Sequence, residues 1–152
     1  MLRLLAAAVV VGAALWLALR PDGRDAVRAA DRLLAAGRYH EALAAYEPLA
    51  PGLPAAQLRA GMVRALRGER VPAERALRSA MQRGLAPADY HLALLYLGRA
   101  LADDGRAALA ASTWLLLEDC RAPAACAYVA PGRALAADEA MARGDYLAAE
   151  AG

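Results

Sequence analysis

The chain has 152 residues, 60% of them hydrophobic but only 5% aromatic, with a formal net charge of +2. Alanine supplies 44 residues, all 18 basic residues are arginine, and Ile, Asn, Lys and Phe are absent; helix formers dominate and strand formers are scarce, so strands are not expected and an all-α chain is. Without Arg3 and Arg20 the remainder carries 16 arginines against 16 acids, a neutral body lacking the basic footprint that nucleic-acid binding requires.

Leu4 to Leu19 form an uncharged run of 16 residues between Arg3 and Arg20, followed by Pro21-Asp22-Gly23. The run is slightly short for a membrane-spanning helix of about 20 residues and slightly long for a secretory-signal core of about 7–15. Small-residue cleavage positions at Gly12 and Ala14 fall inside the run, and Trp16 with Arg20 suits an interfacial anchor. The expectation is an uncleaved single-pass anchor over residues 1–20, with a cleaved signal and a periplasmic or secreted product as the alternative, and a buried helix as a third reading. Positive charge is nearly balanced across the run, Arg3 and the amino terminus against Arg20, Arg24 and Arg28. The short basic start followed at once by the apolar run resembles an export signal, which places the rest of the chain on the extracytoplasmic side of the cytoplasmic membrane. The Ala/Arg bias fits a GC-rich, bacterial coding sequence.

Beyond the run, a glycine is followed five residues later by alanine four times: Gly37/Ala42, Gly68/Ala73, Gly105/Ala110 and Gly144/Ala149, at steps of 31, 37 and 39 residues. In the first three, a large apolar residue follows four further on, Tyr46, Leu77 and Trp114. Repeats of this size contain one helix-turn-helix unit each, which cannot bury its apolar face alone, so neighbouring units stack into a continuous core.

The first unit, 23–56, shows Ala26, Ala30, Leu33, Gly37, Tyr39, Ala42, Tyr46, Leu49 and Pro54. The second, 54–87, keeps Gly61, Gly68, Ala73, Leu77, Ala80 and Pro87 but has Arg64 at an apolar position. The third is clearest, with Leu94, Leu97, Gly98, Leu101, Gly105, Ala110, Trp114, Leu117 and then Pro123. The fourth keeps Gly144, Asp145, Tyr146 and Ala149 before Gly152. This spacing resembles the tetratricopeptide (TPR) repeat, and Ala80, Gly84, Leu92, Tyr96, Gly98 and Asp104 are also similar to its Sel1-like variant. The resemblance implies an α/α superhelical solenoid of about three and a half helix-turn-helix repeats over 21–152, preceded by one N-terminal hydrophobic helix. An Ala-rich helical bundle is the alternative.

Cys120 and Cys126 stand six apart around Pro123, in the extra residues that lengthen the last repeat step. In an exported domain they could form a disulfide; otherwise they are two small unpaired hydrophobes. Neither has a CxxC partner or a nearby histidine, so no metal site is expected, and no CxxCH motif provides haem attachment. His40 and His91 each follow a tyrosine near a helix start, without an acidic or nucleophilic cluster, and read as surface or packing residues. Asp103 and Asp104 before Gly105, at a helix-to-helix turn, read as turn and capping residues. No GxSxG, GxxxxGK[ST] or GxGxxG motif is present, so neither enzyme activity nor a cofactor is expected.

In the TPR architecture the first helix of each pair lines a concave face. The resemblance places Arg24, Val27, Arg28, Asp31 and Leu34 there in unit one, Leu58, Arg59, Met62 and Leu66 in unit two, and Leu92, Leu95, Tyr96, Arg99 and Asp103 in unit three; Leu58, Leu66 and Leu92 read equally as core. Such a surface suits an amphipathic helix or an extended peptide, its arginines reading acidic groups. The expected function is a membrane-anchored protein–protein interaction module, a structural subunit or assembly factor of an envelope or membrane complex. A small exported enzyme or cofactor-binding accessory protein using His40, His91 or the cysteine loop is the alternative.

Overall fold

The computed structural model describes residues 23–121 and 123–142. The expected anchor at 4–19 and the Gly144–Ala149 portion of the fourth unit lie outside these residues. Among the described residues all regular structure is helical and the protein is all-α. The helices are α1 (Gly23–Ala35), α2 (Tyr39–Tyr46), α3 (Pro54–Leu66), α4 (Arg70–Gln82), α5 (Pro87–Asp103) and α6 (Ala107–Leu115). A 3-10 turn at Leu116–Glu118 then leads to the single-turn α7 (Pro123–Cys126) and to α8 (Val129–Ala142). No described helix is long and apolar enough to cross a membrane.

Pro54 and Pro87 open α3 and α5 at the first turn, where a missing N–H costs nothing and the fixed φ suits a helix. Gly37, Gly68 and Gly105 close α1, α3 and α5 with φ of 72°, 75° and 76°, the left-handed region in which a Cβ is penalised. The hydrogen bonds around the three glycines are identical in pattern. Each glycine N–H donates to the carbonyl three residues back, Leu34, Ala65 or Ala102, and the next N–H to the carbonyl five back, Leu33, Arg64 or Leu101. The alanine five residues beyond each glycine is fully buried, and its N–H donates to the carbonyl of the residue after the glycine. Gly105→Ala has open space around the added Cβ, so its expected cost of about 1–2 kcal/mol is backbone strain alone. Urea midpoints measure this, and an unchanged midpoint would mean that the turn relaxes.

The three turns make hairpins of α1–α2, α3–α4 and α5–α6, and the second helix of each hairpin packs on the first helix of the next. Helices α3 and α5 also touch, and α8 packs on α6. The large residues that follow the buried alanines are themselves buried: Tyr46 and Leu77 at 0% exposure and Trp114 at 3%. Small residues make room for them. A Cβ on Gly61 would come within 2.8 Å of Leu77 Cγ, and one on Gly98 would overlap the Trp114 indole. Likewise, a Cβ on Gly132 in α8 would overlap Leu117.

Arginines join one hairpin to the next. Arg83 donates to the carbonyls of Ala50 and Pro51, both at 2.7 Å, and to Gln57 Oε1 at 2.6 Å. Arg64, placed where an apolar residue was expected, reaches Glu47 at 2.8 Å. Arg70 donates to the Asp103 carbonyl at 2.8 Å. Arg106 forms an ion pair with Glu74, which Arg78 also reaches at 2.8 Å. The Arg106 bond holds the Glu74 carboxyl below its usual range, against the opposing effect of burial, and Arg78 adds to the lowering. Asp104 departs from its expected capping role. No side chain caps α6, and the carboxylate instead faces Arg106 at 3.2 Å and Arg70 at 3.9 Å, cations that offset an acid at a helix C-terminus.

Candidate functional site

The expected concave-face residues separate into two groups. On α1, Arg24 and Arg28 are exposed, and Arg28 lies 2.6 Å from Asp25. Asp31 accepts the Tyr46 hydroxyl at 2.5 Å and lies 3.5 Å from Arg59 Nε. Arg59, only 22% exposed, also reaches Asp89 at 3.3 Å, so its guanidinium bridges α1, α3 and α5 instead of standing free for a partner. Burial, followed by the bond to Asp31, pushes the Tyr46 hydroxyl well above the ordinary phenol range. Met62 is 7% exposed and belongs to the larger core cluster, which removes it from the accessible face. Leu58 is wholly core, Leu92 packs partly buried against the same cluster, and Val27 and Leu34 pack against a smaller cluster built around Tyr46 and Val63.

The second group comes together. Leu95, Tyr96, Arg99 and Asp103, with Ala102, form the α5 wall of a cleft of about 340 Å³. Trp114 on α6 forms its floor, and Leu135, Asp138 and Glu139 on α8 form the far wall. The cleft exists because α8 rests on α6 and stands away from α5. Trp114 is fixed in place by donating its indole N–H to the Leu95 carbonyl at 3.0 Å, across Gly98. Arg99 lies 3.8 Å from Asp103 one turn along the same helix. The α8 residues were missing from the sequence reading, which recognised the fourth unit only from Gly144 onward.

Cys120 and Cys126 are joined by a disulfide, with Cα atoms 5.2 Å apart. It closes the connection between the 3-10 turn and α7, just before α8, and Arg133 on α8 reaches back to Glu118 at 2.9 Å. His40 is exposed on α2 near Arg67, whereas His91 is buried on α5 with Nδ1 donating to the Pro87 carbonyl at 2.9 Å. The two histidines and the cysteine loop lie on separate elements. Among the described residues, no group of three or more His, Cys, Asp and Glu side chains is arranged to hold a metal ion.

The fold and cleft together define an all-α protein of successive helix hairpins with an apolar cleft at one end of the described chain. No protein-family model matches the sequence, and no curated protein matches it.

Proposed function

We propose that this chain is a TPR-like α/α solenoid acting as a non-catalytic protein–protein interaction module, tethered to the cytoplasmic membrane through residues 4–19 with its repeats on the outer side. It serves as a structural subunit or assembly factor of an envelope complex. One observation carries the reading: the α5–α8 cleft places Leu95, Tyr96, Trp114 and Leu135 around a concavity rimmed by charged groups. Apolar floors with polar edges are what binding sites for partner side chains look like. The three glycine turns, alike in φ and hydrogen bonds, support the repeat reading, and the apolar run from Leu4 to Leu19 supports the tether.

The test places a photoreactive phenylalanine analogue at Tyr96 in the full chain, crosslinked in its native membranes. A control carries the analogue at Leu109, an exposed residue of α6 outside the cleft. A discrete protein adduct is expected from position 96, absent from position 109 and lost on adding Leu135→Asp. No adduct at 96, or the same adducts from both positions, would overturn the proposal.

A further inference from the structure

We infer that the uncovered face of α1 is a contact surface for anionic phospholipid headgroups, on which the helical stack stands. This rests on the tether of the reading above, though not on which side of the membrane the repeats lie.

The repeat offsets identify the face. Asp25, Ala29 and Arg32 stand 12, 8 and 5 residues before Gly37, and all three are exposed. At the same offsets α3 carries Ala56, Ala60 and Val63, and α5 carries Ala93, Leu97 and Ala100, all buried because α2 and α4 pack on those helices. Among the described residues no hairpin precedes α1, so its corresponding face is open. Solubility requires only that the end of such a stack be polar; it does not require one sign of charge. Yet Arg24, Arg28 and Arg32 follow one another at four-residue steps along one side of α1, all exposed. Arg28 faces Asp25 at 2.6 Å, and the other α1 carboxylate, Asp31, is held by Tyr46 and Arg59. Arg24 and Arg32 make no ion pair among the described residues. Arg20 continues the same step upstream. Counted against Asp22 and Asp25, these four arginines leave this segment a net charge of +2.

Position then selects the occupant. The apolar run ends at Leu19 and α1 starts at Gly23, four residues that span at most about 14 Å even when fully extended. The potential of a charged surface decays over about 10 Å at 0.1 M salt, so an inserted run holds the first turns of α1 within its range. Basic residues just beyond an anchor are attracted to anionic headgroups in this way. The tether also presents that surface permanently, at an effective concentration that no free acidic protein matches. With α1 on the headgroups, the later hairpins stack away from the bilayer and the α5–α8 cleft opens at the far end.

The test reconstitutes the full chain in vesicles of phosphatidylcholine, alone or mixed with anionic phosphatidylglycerol, with a photoreactive phenylalanine analogue at Ala29. A control carries the analogue at Leu109, exposed on the third hairpin, and carbonate extraction reports insertion separately. Lipid adducts at position 29 are expected to be at least about fivefold more abundant in the mixed vesicles, the factor that one arginine supplies beside an anionic bilayer, and to exceed those at position 109. They should decline as NaCl rises from about 50 to about 300 mM. Arg24→Glu combined with Arg32→Glu should abolish the excess without altering thermal unfolding; if that variant unfolds, the lipid and salt comparisons on the wild-type chain decide. Equal adducts at the two positions, or a yield indifferent to phosphatidylglycerol or to the charge reversal, would overturn this inference alone when the chain resists carbonate. A chain that carbonate removes would overturn the tether and this inference with it.

Discussion

Gly98→Ala is expected to lower the unfolding midpoint by roughly 3–10 °C, although alanine is the better helix former. The added methyl group would occupy space already held by the Trp114 indole. Trp114 is 3% exposed and bonded to the Leu95 carbonyl at 3.0 Å, so it can yield only by giving up that bond and shifting toward the cleft that it floors. Overpacking of this kind costs about 1–3 kcal/mol, and losing the indole hydrogen bond adds about 1 kcal/mol. The intrinsic gain from Gly to Ala in a helix, about 1 kcal/mol, offsets only part of this. A net loss of about 1–3 kcal/mol corresponds to the stated shift for a domain of this size. Thermal unfolding followed by far-UV circular dichroism measures it, and tryptophan emission should shift to the red as the ring is displaced. A midpoint at or above that of the wild type would refute the close crossing of α5 and α6. The same ring forms the cleft floor, so on the proposed interaction reading the variant should also lose the adduct at position 96 at temperatures where it remains folded.

Tyr46→Ala should be still more damaging, at about 3–5 kcal/mol, because a fully buried aromatic ring is replaced by a cavity. Tyr46→Phe isolates the hydroxyl. It keeps the ring and removes only the bond to Asp31, for an expected loss of about 1 kcal/mol. The two variants also separate in alkali. The folded state raises the Tyr46 pKa above its ordinary value of 10.0, first by burial and then through Asp31. The protonated phenol is thus favoured by folding, and its contribution is intact below about pH 10. As the pH rises further, the unfolded chain loses this proton while the folded chain keeps it, so stability falls by about 1.4 kcal/mol per pH unit until the folded group also ionises. Urea midpoints at pH 8, 10 and 11 should fall more steeply for the wild type than for Tyr46→Phe. Parallel slopes would show that Tyr46 ionises as freely in the folded protein as in the unfolded one.

These two positions also show what the sequence could disclose. Gly37, Gly68 and Gly105 differ from Gly61 and Gly98 in physical role, yet both sets recur with the repeat. The turn glycines were legible because left-handed backbone is nearly a glycine privilege. The crossing glycines were legible as small residues seven positions earlier, opposite Leu77 and Trp114. The far wall of the cleft obeys the same offsets. Nine residues before Gly105 stands Tyr96, and nine before Gly144 stands Leu135, so counting back from the last glycine would have located α8. The partners of the arginines were not legible for another reason. Arg59 to Asp89, Arg70 to Asp103 and Arg83 to Ala50 span 30 to 33 residues, and such pairs become neighbours only after the hairpins stack. Met62 looked accessible on a single helix, and it is buried because neighbouring hairpins cover α3 on both sides.

The Arg83 and Arg106 contacts differ in their response to acid. The acceptors of Arg83 are two backbone carbonyls and the Gln57 amide oxygen, none of which takes up a proton in ordinary acid, and a guanidinium stays charged throughout. That clasp between the first and second hairpins therefore holds unchanged in an acidified compartment. Between the second and third hairpins, the Arg106 clasp depends on the Glu74 carboxylate, whose lowered pKa delays its failure but does not prevent it. Sufficient acid would release the Arg106 bond to Glu74 and leave Arg70 on the Asp103 carbonyl to hold that joint, just as it would spare Arg83 at the other.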